Sequence, residues 1–532
     1  MRRLYTNGKI YIDKNKFVDS ILVVDGIVDS IGSREELTNS NYQKLIDLGG
    51  KTILPGFNDS HLHVSSMGYA MNSLDLKSAR SIDEIIKMGK EHLKNNPKLT
   101  SLQGRGWNQD YFNLGEKRMP ARYDLDEIST DIPIIISRVC GHVAVGNSKS
   151  LELLSIDSNS FVDGGEIELD LNGEPNGVFN ENAIGLLSSV LPEKSKEERK
   201  KEFLMAMEYA LSQGLTSVQA CDVSGKEYKE VFETINEIYQ EEKLKFRYTH
   251  QFNFQDINEF EKYLETEYKN TIYDEKFYSK GALKLFKDGS LGARTAHMKN
   301  EYKDAKGEFG VQALSDYQLQ ELCNLASLNN IQVVTHAIGD AAIESVILAY
   351  ENTMKNGDNK LRHGIVHNQI TNMDQLRRIA KLNIPVMYQP IFLDYDSKIV
   401  IDRVGEELAR TSYAFNTLLK LGAPVSLSTD APVEDCNPFA NIYSAVNRKG
   451  LDGSPDEGFF PEEKMSLEDA IDAYTLGSAY NEFKEDFKGR LKPGYVADFI
   501  ILDRDIFSVD TVEIKDIKVL ETVVAGRTLY KA

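Results

Sequence analysis

Apolar, β-branched runs recur between helical segments along most of this chain: TILPGF near 52, LTSVQA near 215, KFRYTHQF near 245, GALKLF near 281, IQVVTHA near 331, HGIVH near 363, IPVMYQ near 384 and PVSLSTD near 424. Helical patterns such as KKEFLMAMEYALSQG, SDYQLQELCNLASLNN, DQLRRIAKLN and SYAFNTLLKLG end just before several of these runs, often at the Gly or Asn that suits a helix C-cap. Eight strand candidates alternating with helices predict an α/β protein built on a (β/α)8 barrel of the TIM type. Few other folds accommodate that rhythm.

The rhythm breaks once. About 150 residues separate the first run from the second, against roughly 20 to 60 later, which predicts an insertion. It holds two strand-like runs, TSLQGRGW and IPIIISRV, and a Gly- and acid-rich segment, VDGGEIELDLNGEPNG, that reads as a hairpin or loop. Both chain ends carry short alternating strands, LYTNGKIYID and SILVVDGIVDSIG at the start and KVLETVVAGRTLYKA at the end. The expected layout is a composite β-sandwich from 1–54 plus 488–532, a barrel from 55–69 plus 201–487, and an inserted α+β domain at 70–200 over the barrel mouth.

Charge narrows the partners. With 62 Lys+Arg against 82 Asp+Glu the net charge is -20, which repels phosphate backbones and anionic lipid, so no nucleic-acid partner is expected. No stretch approaches the about 18 apolar residues of a membrane span, and MRRLYTNGKIYIDKN is not followed by an apolar run, so a cytoplasmic location without membrane contact is expected. Cys140, Cys221, Cys323 and Cys436 lie far apart with no C-x-x-C pair, which fits reduced, structural thiols.

The chemistry-bearing residues gather at strand ends. His61 and His63 form an H-x-H pair in which both rings point to one side of an extended chain, and Pro55-Gly56 precedes them after an apolar run. His336 ends IQVVTH, His367 ends HGIVH and Asp430 ends PVSLSTD, on the fifth, sixth and eighth candidates. Active sites of such barrels are built at that end of the strands. Three imidazole-bearing strands and a carboxylate clustered there without an ion would be costly to desolvate.

PGFNDSHLH, THAIGD, STDAPV and GRLKPGYVADFIILD together resemble the amidohydrolase superfamily, in its YtcJ-like branch that includes N-substituted formamide deformylases. GRGWNQD, GHVAVGNSKSL and GEPNGVFNENA in the insertion, and KLFKDGSLGARTA on the fourth strand, extend the resemblance over nearly the whole chain. It implies a divalent metal centre, zinc by preference and with one or two ions, held by His61, His63, His336, His367 and Asp430. It also implies a carboxylated lysine at Lys284, with Lys287 as the competitor, since the two lie on opposite faces of a strand. Two departures stand out: Val366 precedes the sixth-strand histidine where relatives often carry Glu and is expected to face away from the barrel interior, and His363 lies four residues before the ligand as a structural or orienting residue.

The resemblance further implies a homodimer and a small-molecule substrate. The expected reaction is hydrolysis of a carbon–nitrogen bond other than a peptide bond (a formamide, N-acyl amine or cyclic amide), with zinc-activated hydroxide as nucleophile and Asp430 as general base and then acid. Deamination of a heterocyclic amine or ester hydrolysis at the same centre is the alternative reading, and a non-catalytic binding protein is a third. Trp107, Arg105, His142 and Asn147 in the insertion are expected to contact the substrate, His142 foremost because of its GH motif.

Overall fold

The computed structural model describes residues 1–192, 194–224, 228–241, 246–270, 274–354 and 357–532. Its centre is a set of parallel strands: β1 (Phe57–Leu62), β2 (Leu215–Ala220), β3 (Arg247–His250), β4 (Leu283–Phe286), β5 (Val333–Ala337), β6 (Gly364–His367), β7 (Val386–Tyr388) and β8 (Val425–Leu427). β1, β2 and β3 pair in that order, and β4 through β8 pair in theirs, every contact parallel. β3 and β4 meet through short extensions: Tyr248 and Thr249 align with Tyr278 and Ser279, and Phe252 and Asn253 with Leu283 and Lys284. Lys245, the first residue of the KFRYTHQF run, lies outside the described residues.

Hydrogen bonds also join the first strand to the last. Ser60 Oγ donates to the Leu427 carbonyl at 2.9 Å, and the Asp430 N–H donates to the His61 carbonyl at 3.0 Å. β4 through β8 read as largely apolar runs because both their faces are buried, whereas β1 (FNDSHL) and β3 (RYTH) are buried with mostly polar side chains. Val333, Ile365 and Val386 pack outward with the helices, whereas Ala282, Val334, Val366 and Met387 form a separate buried cluster on the opposite side. Helices Lys196–Ser212, Asp316–Leu328 and Met373–Lys381 precede β2, β5 and β7, each opened by a capping box on Ser195, Ser315 or Asn372.

The first run, TILPGF, divides in two. Thr52–Pro55 pairs with Lys9–Asp13 and Phe499–Leu502 in a six-stranded sheet, and β1 begins only at Phe57. Gly56 is the pivot, because a Cβ there would lie 2.2 Å from Thr216 Cγ2. That sheet takes strands from both chain ends, in the order Arg527–Lys531, Val519–Val524, Phe499–Leu502, Thr52–Pro55, Lys9–Asp13, Lys16–Val18. A four-stranded sheet of N-terminal strands shares its core, in which Tyr5, Ile21 and Val28 meet Ile53, Phe499 and Val523.

Between β1 and β2 lies another six-stranded sheet, with Ile134–Arg138 and Val143–Gly146 at its centre, Leu102–Trp107 beside Ile134–Arg138, and the hairpin Gly165–Leu169 and Pro175–Glu181 at one edge. The two strand-like runs and the acid-rich segment of the insertion thus share one sheet. No helix among the described residues is long and apolar enough to cross a membrane.

A buried ion pair fastens β3 to the sheet of the chain ends. Arg247 Nε and Nη2 meet Asp498 Oδ2 and Oδ1 at 2.5 and 2.9 Å, and the guanidinium lies over the rings of Phe277 and Phe487. Removing one partner strands a buried charge, so Asp498→Ala is expected to lower unfolding free energy by about 3–5 kcal/mol in a denaturant melt. A loss below about 1 kcal/mol would show that the pair is not what holds the two parts together.

Candidate metal centre

β1 and β8 are locked at the end where the histidines emerge. Asp59 accepts from the Thr429 N–H and hydroxyl at 3.0 and 2.6 Å with one oxygen, and from the His61 N–H at 3.1 Å with the other. Just beyond, Asp430 has a φ of 56°, a left-handed conformation uncommon outside glycine that turns its carboxylate towards β1. His61 Nε2 and His63 Nε2 then lie 3.4 and 3.2 Å from Asp430 Oδ1. These three side chains form a group spaced to share one cation.

The imidazoles are aimed from behind. His61 Nδ1 lies 2.6 Å from Gln251 Oε1, His63 Nδ1 2.7 Å from the Cys221 carbonyl and His367 Nδ1 2.7 Å from Gln389 Oε1. Gln251 Nε2 donates to the Ser60 carbonyl, and Gln389 Nε2 to the Met387 carbonyl, which fixes each amide with its oxygen towards the histidine. Each Nδ1 must therefore carry the proton, leaving the Nε2 lone pair for an ion, as metal-binding histidines are commonly held. His336 is held the other way round, its Nε2 donating to the Gly289 carbonyl at 3.0 Å, and its ring centroid is 4.4 Å from that of His367.

Val366 does not face away from this side. It pairs with His336 in register and packs with Val334 and Met387. His367 reaches the same side although it follows Val366 directly, because its φ of 78° breaks the alternation of an extended strand. His363 is turned elsewhere, with Nδ1 accepting from the Val333 N–H and Nε2 3.0 Å from Ser327 Oγ.

The two lysines separate clearly. Lys287 Nζ donates to the Leu314 carbonyl and pairs with Asp316 at 2.6 Å. Lys284 is fully buried, its Nζ has no hydrogen-bond partner among the described residues, and it sits 3.6 Å from the centroid of the Phe286 ring. Burial pushes the Lys284 amine down to about 8, and burial followed by the Lys284 charge pushes His61 down to about 4. An orphaned amine, three imidazoles with free Nε2 atoms and a carboxylate make a donor set that fits a divalent ion with nitrogen and oxygen ligands.

The insertion contributes to the cavity over this centre. His142 lines it with His336, His367 and Asp430, and its ring centroid lies 5.0 Å from that of His336. Its Nδ1 meets Glu181 Oε2 at 2.7 Å, and Gly289 leaves room for that carboxylate, since a Cβ there would sit 2.1 Å from Glu181 Oε1. The other expected substrate contacts lie elsewhere. Trp107 is fully buried in the apolar core of the insertion, and Asn147 is a buried N-cap for helix Ser148–Leu154 that also donates to the Ser129 and Ile132 carbonyls. Arg105 lines a neighbouring cavity with Tyr209 and Asp435.

Sequence reasoning missed Gln251, Gln389 and Glu181. The signal for the two glutamines is their place as polar residues within the KFRYTHQF and IPVMYQ runs, directly after β3 and β7.

The chain matches the model of the family described as "Amidohydrolase family" over residues 44–530. It is 32% identical to the Bacillus subtilis (strain 168) protein YtcJ over 540 residues, covering 100% of both chains. It is 27% identical to an N-substituted formamide deformylase of Arthrobacter pascens, covering 97% of this chain and 96% of that one. Among solved structures, an uncharacterized metal-dependent hydrolase from Pyrococcus horikoshii OT3 superposes with a TM-score of 0.76 at 29% identity, covering 96% of this chain and 99% of that one.

Proposed function

The chain belongs to the amidohydrolase family, and from that premise we propose that this metal-dependent hydrolase cleaves a carbon–nitrogen bond other than a peptide bond, in a formamide, N-acyl amine or cyclic amide. The observation that carries the reading is the convergence of His61, His63 and Asp430 on one point, with the free Nε2 of each histidine turned towards it. The likeness to an N-substituted formamide deformylase supports the substrate class.

His61, His63, His336, His367 and Asp430 would hold the ion, zinc by preference, and Lys284 would join them after its buried amine takes up carbon dioxide and loses a proton. When bound, the ion supplies Lewis acidity towards a carbonyl oxygen and makes a water easier to deprotonate. Asp430 accepts the proton from the attacking water and returns it to the leaving nitrogen as the carbon–nitrogen bond breaks. His142, oriented by Glu181, donates a hydrogen bond from Nε2 to the substrate oxygen, whose negative charge grows in the transition state. In this reading the parallel strands close into one (β/α)8 barrel, residues 1–54 and 488–532 form a β-sandwich, and residues 70–200 shape the pocket from above.

The test is a screen of N-formyl, N-acyl and cyclic amides with zinc-replete enzyme. Equimolar carboxylate and amine are expected from at least one class. Ammonia released from heterocyclic amines, with every amide inert, would replace this reading with a deaminase.

A further inference from the structure

The cavity over the metal centre has a second polar end. Asp396 lines it, is 6% exposed, and uses Oδ2 to accept from Gln369 Nε2 and from the Tyr413 hydroxyl, both at 2.7 Å. Among the described residues no hydrogen bond reaches its Oδ1 and no cationic side chain lies within ion-pair distance, although the charges of Arg138 and Arg403 act on its carboxyl. Beside it Gln369, 3% exposed and also lining the cavity, spends both protons of Nε2 on Asp396 and Tyr413 and leaves Oε1 with no partner. Asp396, which lines the cavity, thus keeps Oδ1 without a donor, and the buried Gln369 Oε1 beside it also lacks one among the described residues, an arrangement that is costly unless a ligand supplies donors.

The cationic groups of the same cavity are already committed: Arg138 pairs with Asp110 at 3.2 Å and donates to Asn108, Gln109 and Tyr395, and His142 pairs with Glu181 at 2.7 Å. We infer that Asp396 and Gln369 form a subsite for a protonated amine, so that the preferred substrates carry an ammonium group on the nitrogen-bearing half of the scissile bond. An ammonium has three donors and no acceptor, which matches a wall offering acceptors alone. Phe392, whose ring stacks on His367, stands four residues before Asp396 on successive helical turns, so the two share a face that runs from the metal centre to the subsite. Burial raises the Asp396 carboxyl to about 6, which leaves it mostly ionised at neutral pH. The net charge of -20 would draw such a cation towards the molecule.

This inference rests on the amide-hydrolase reading of the pocket, and its test separates the two. Zinc-replete enzyme is assayed on N-aminobutyl formamide and on N-pentyl formamide, in which a methyl replaces the ammonium. A hydrogen bond to a charged group predicts kcat/KM about 10- to 100-fold higher for the cation, falling to near parity in Asp396→Asn. A wild-type ratio at or below one, or a ratio that Asp396→Asn leaves in place, overturns the subsite. If neither formamide is hydrolysed the formamide branch of that reading is lost, and titration calorimetry with diaminobutane still decides: binding at least about tenfold weaker in Asp396→Asn supports the subsite, and equal binding overturns it. Should Asp396→Asn lose its near-ultraviolet dichroism, Gln369→Met, which removes the unpartnered acceptor, replaces it with the same readouts.

Discussion

The His61→Asn/His63→Asn double variant is expected to leave purification with at least about tenfold less zinc than the wild type and with turnover at background. Both rings approach a single carboxylate oxygen, at 3.4 and 3.2 Å, so removing both takes away two of the three donors spaced to share a cation. The chain should tolerate the change. His63 is the N-cap of helix Val64–Asn72 yet makes no side-chain capping bond, and asparagine is a better N-cap than histidine. Metal content by atomic emission, read beside circular dichroism, therefore separates loss of ligands from loss of fold. A second signature comes from linkage: chelation should lower the melting temperature of the wild type, which binds the ion in its folded state, and leave that of the variant unmoved. A double variant that keeps both metal and activity would put the centre elsewhere.

How far the sequence reaches is clearest at the strand ends. Apolar runs alternating with helices mark β2 through β8, whereas the first run lands mainly on Thr52–Pro55 of the chain-end sheet and reaches only the first residue of β1. The same positional logic reaches His61, His63 and Asp430, the three side chains that lie close enough to share one cation. It fails where backbone departs from the extended form. Counting in twos from His336 along its neighbour predicts that Val366 and His367 point opposite ways, and a φ of 78° at His367 cancels that alternation. Composition misleads in another way: Trp107 attracts notice as the only tryptophan, yet large aromatics most often serve burial, and this one fills the core of the insertion. The residues that aim the histidines were hidden because their partnerships are tertiary. Gln251 is 190 residues from His61, and Glu181 is 39 from His142. Nothing in local spacing links them.

Asp430→Asn is expected to keep the metal and the fold while kcat falls by about 10²- to 10⁴-fold, the span typical of a lost general base. Asparagine matches aspartate in shape and is among the few residues that accept a φ of 56°, so the turn that brings this side chain to β1 should survive. Its amide oxygen still offers a lone pair beside His61 and His63, but the side chain no longer takes a proton from water or returns one to the leaving nitrogen. The loss should therefore fall on kcat, with KM moving little, because the interaction removed belongs to the transition state. His142 is the residue to suspect if turnover is instead unchanged. It lines the same cavity and is held by Glu181, and although burial disfavours its charge, that carboxylate outweighs the penalty and raises it to about 9. A group mostly protonated at neutral pH is a donor to oxygen and a poor base, so only a shift of the role to His142 with a strongly alkaline rate optimum would rescue proton transfer without Asp430. Full activity of Asp430→Asn at neutral pH would sink the assignment of Asp430 as base.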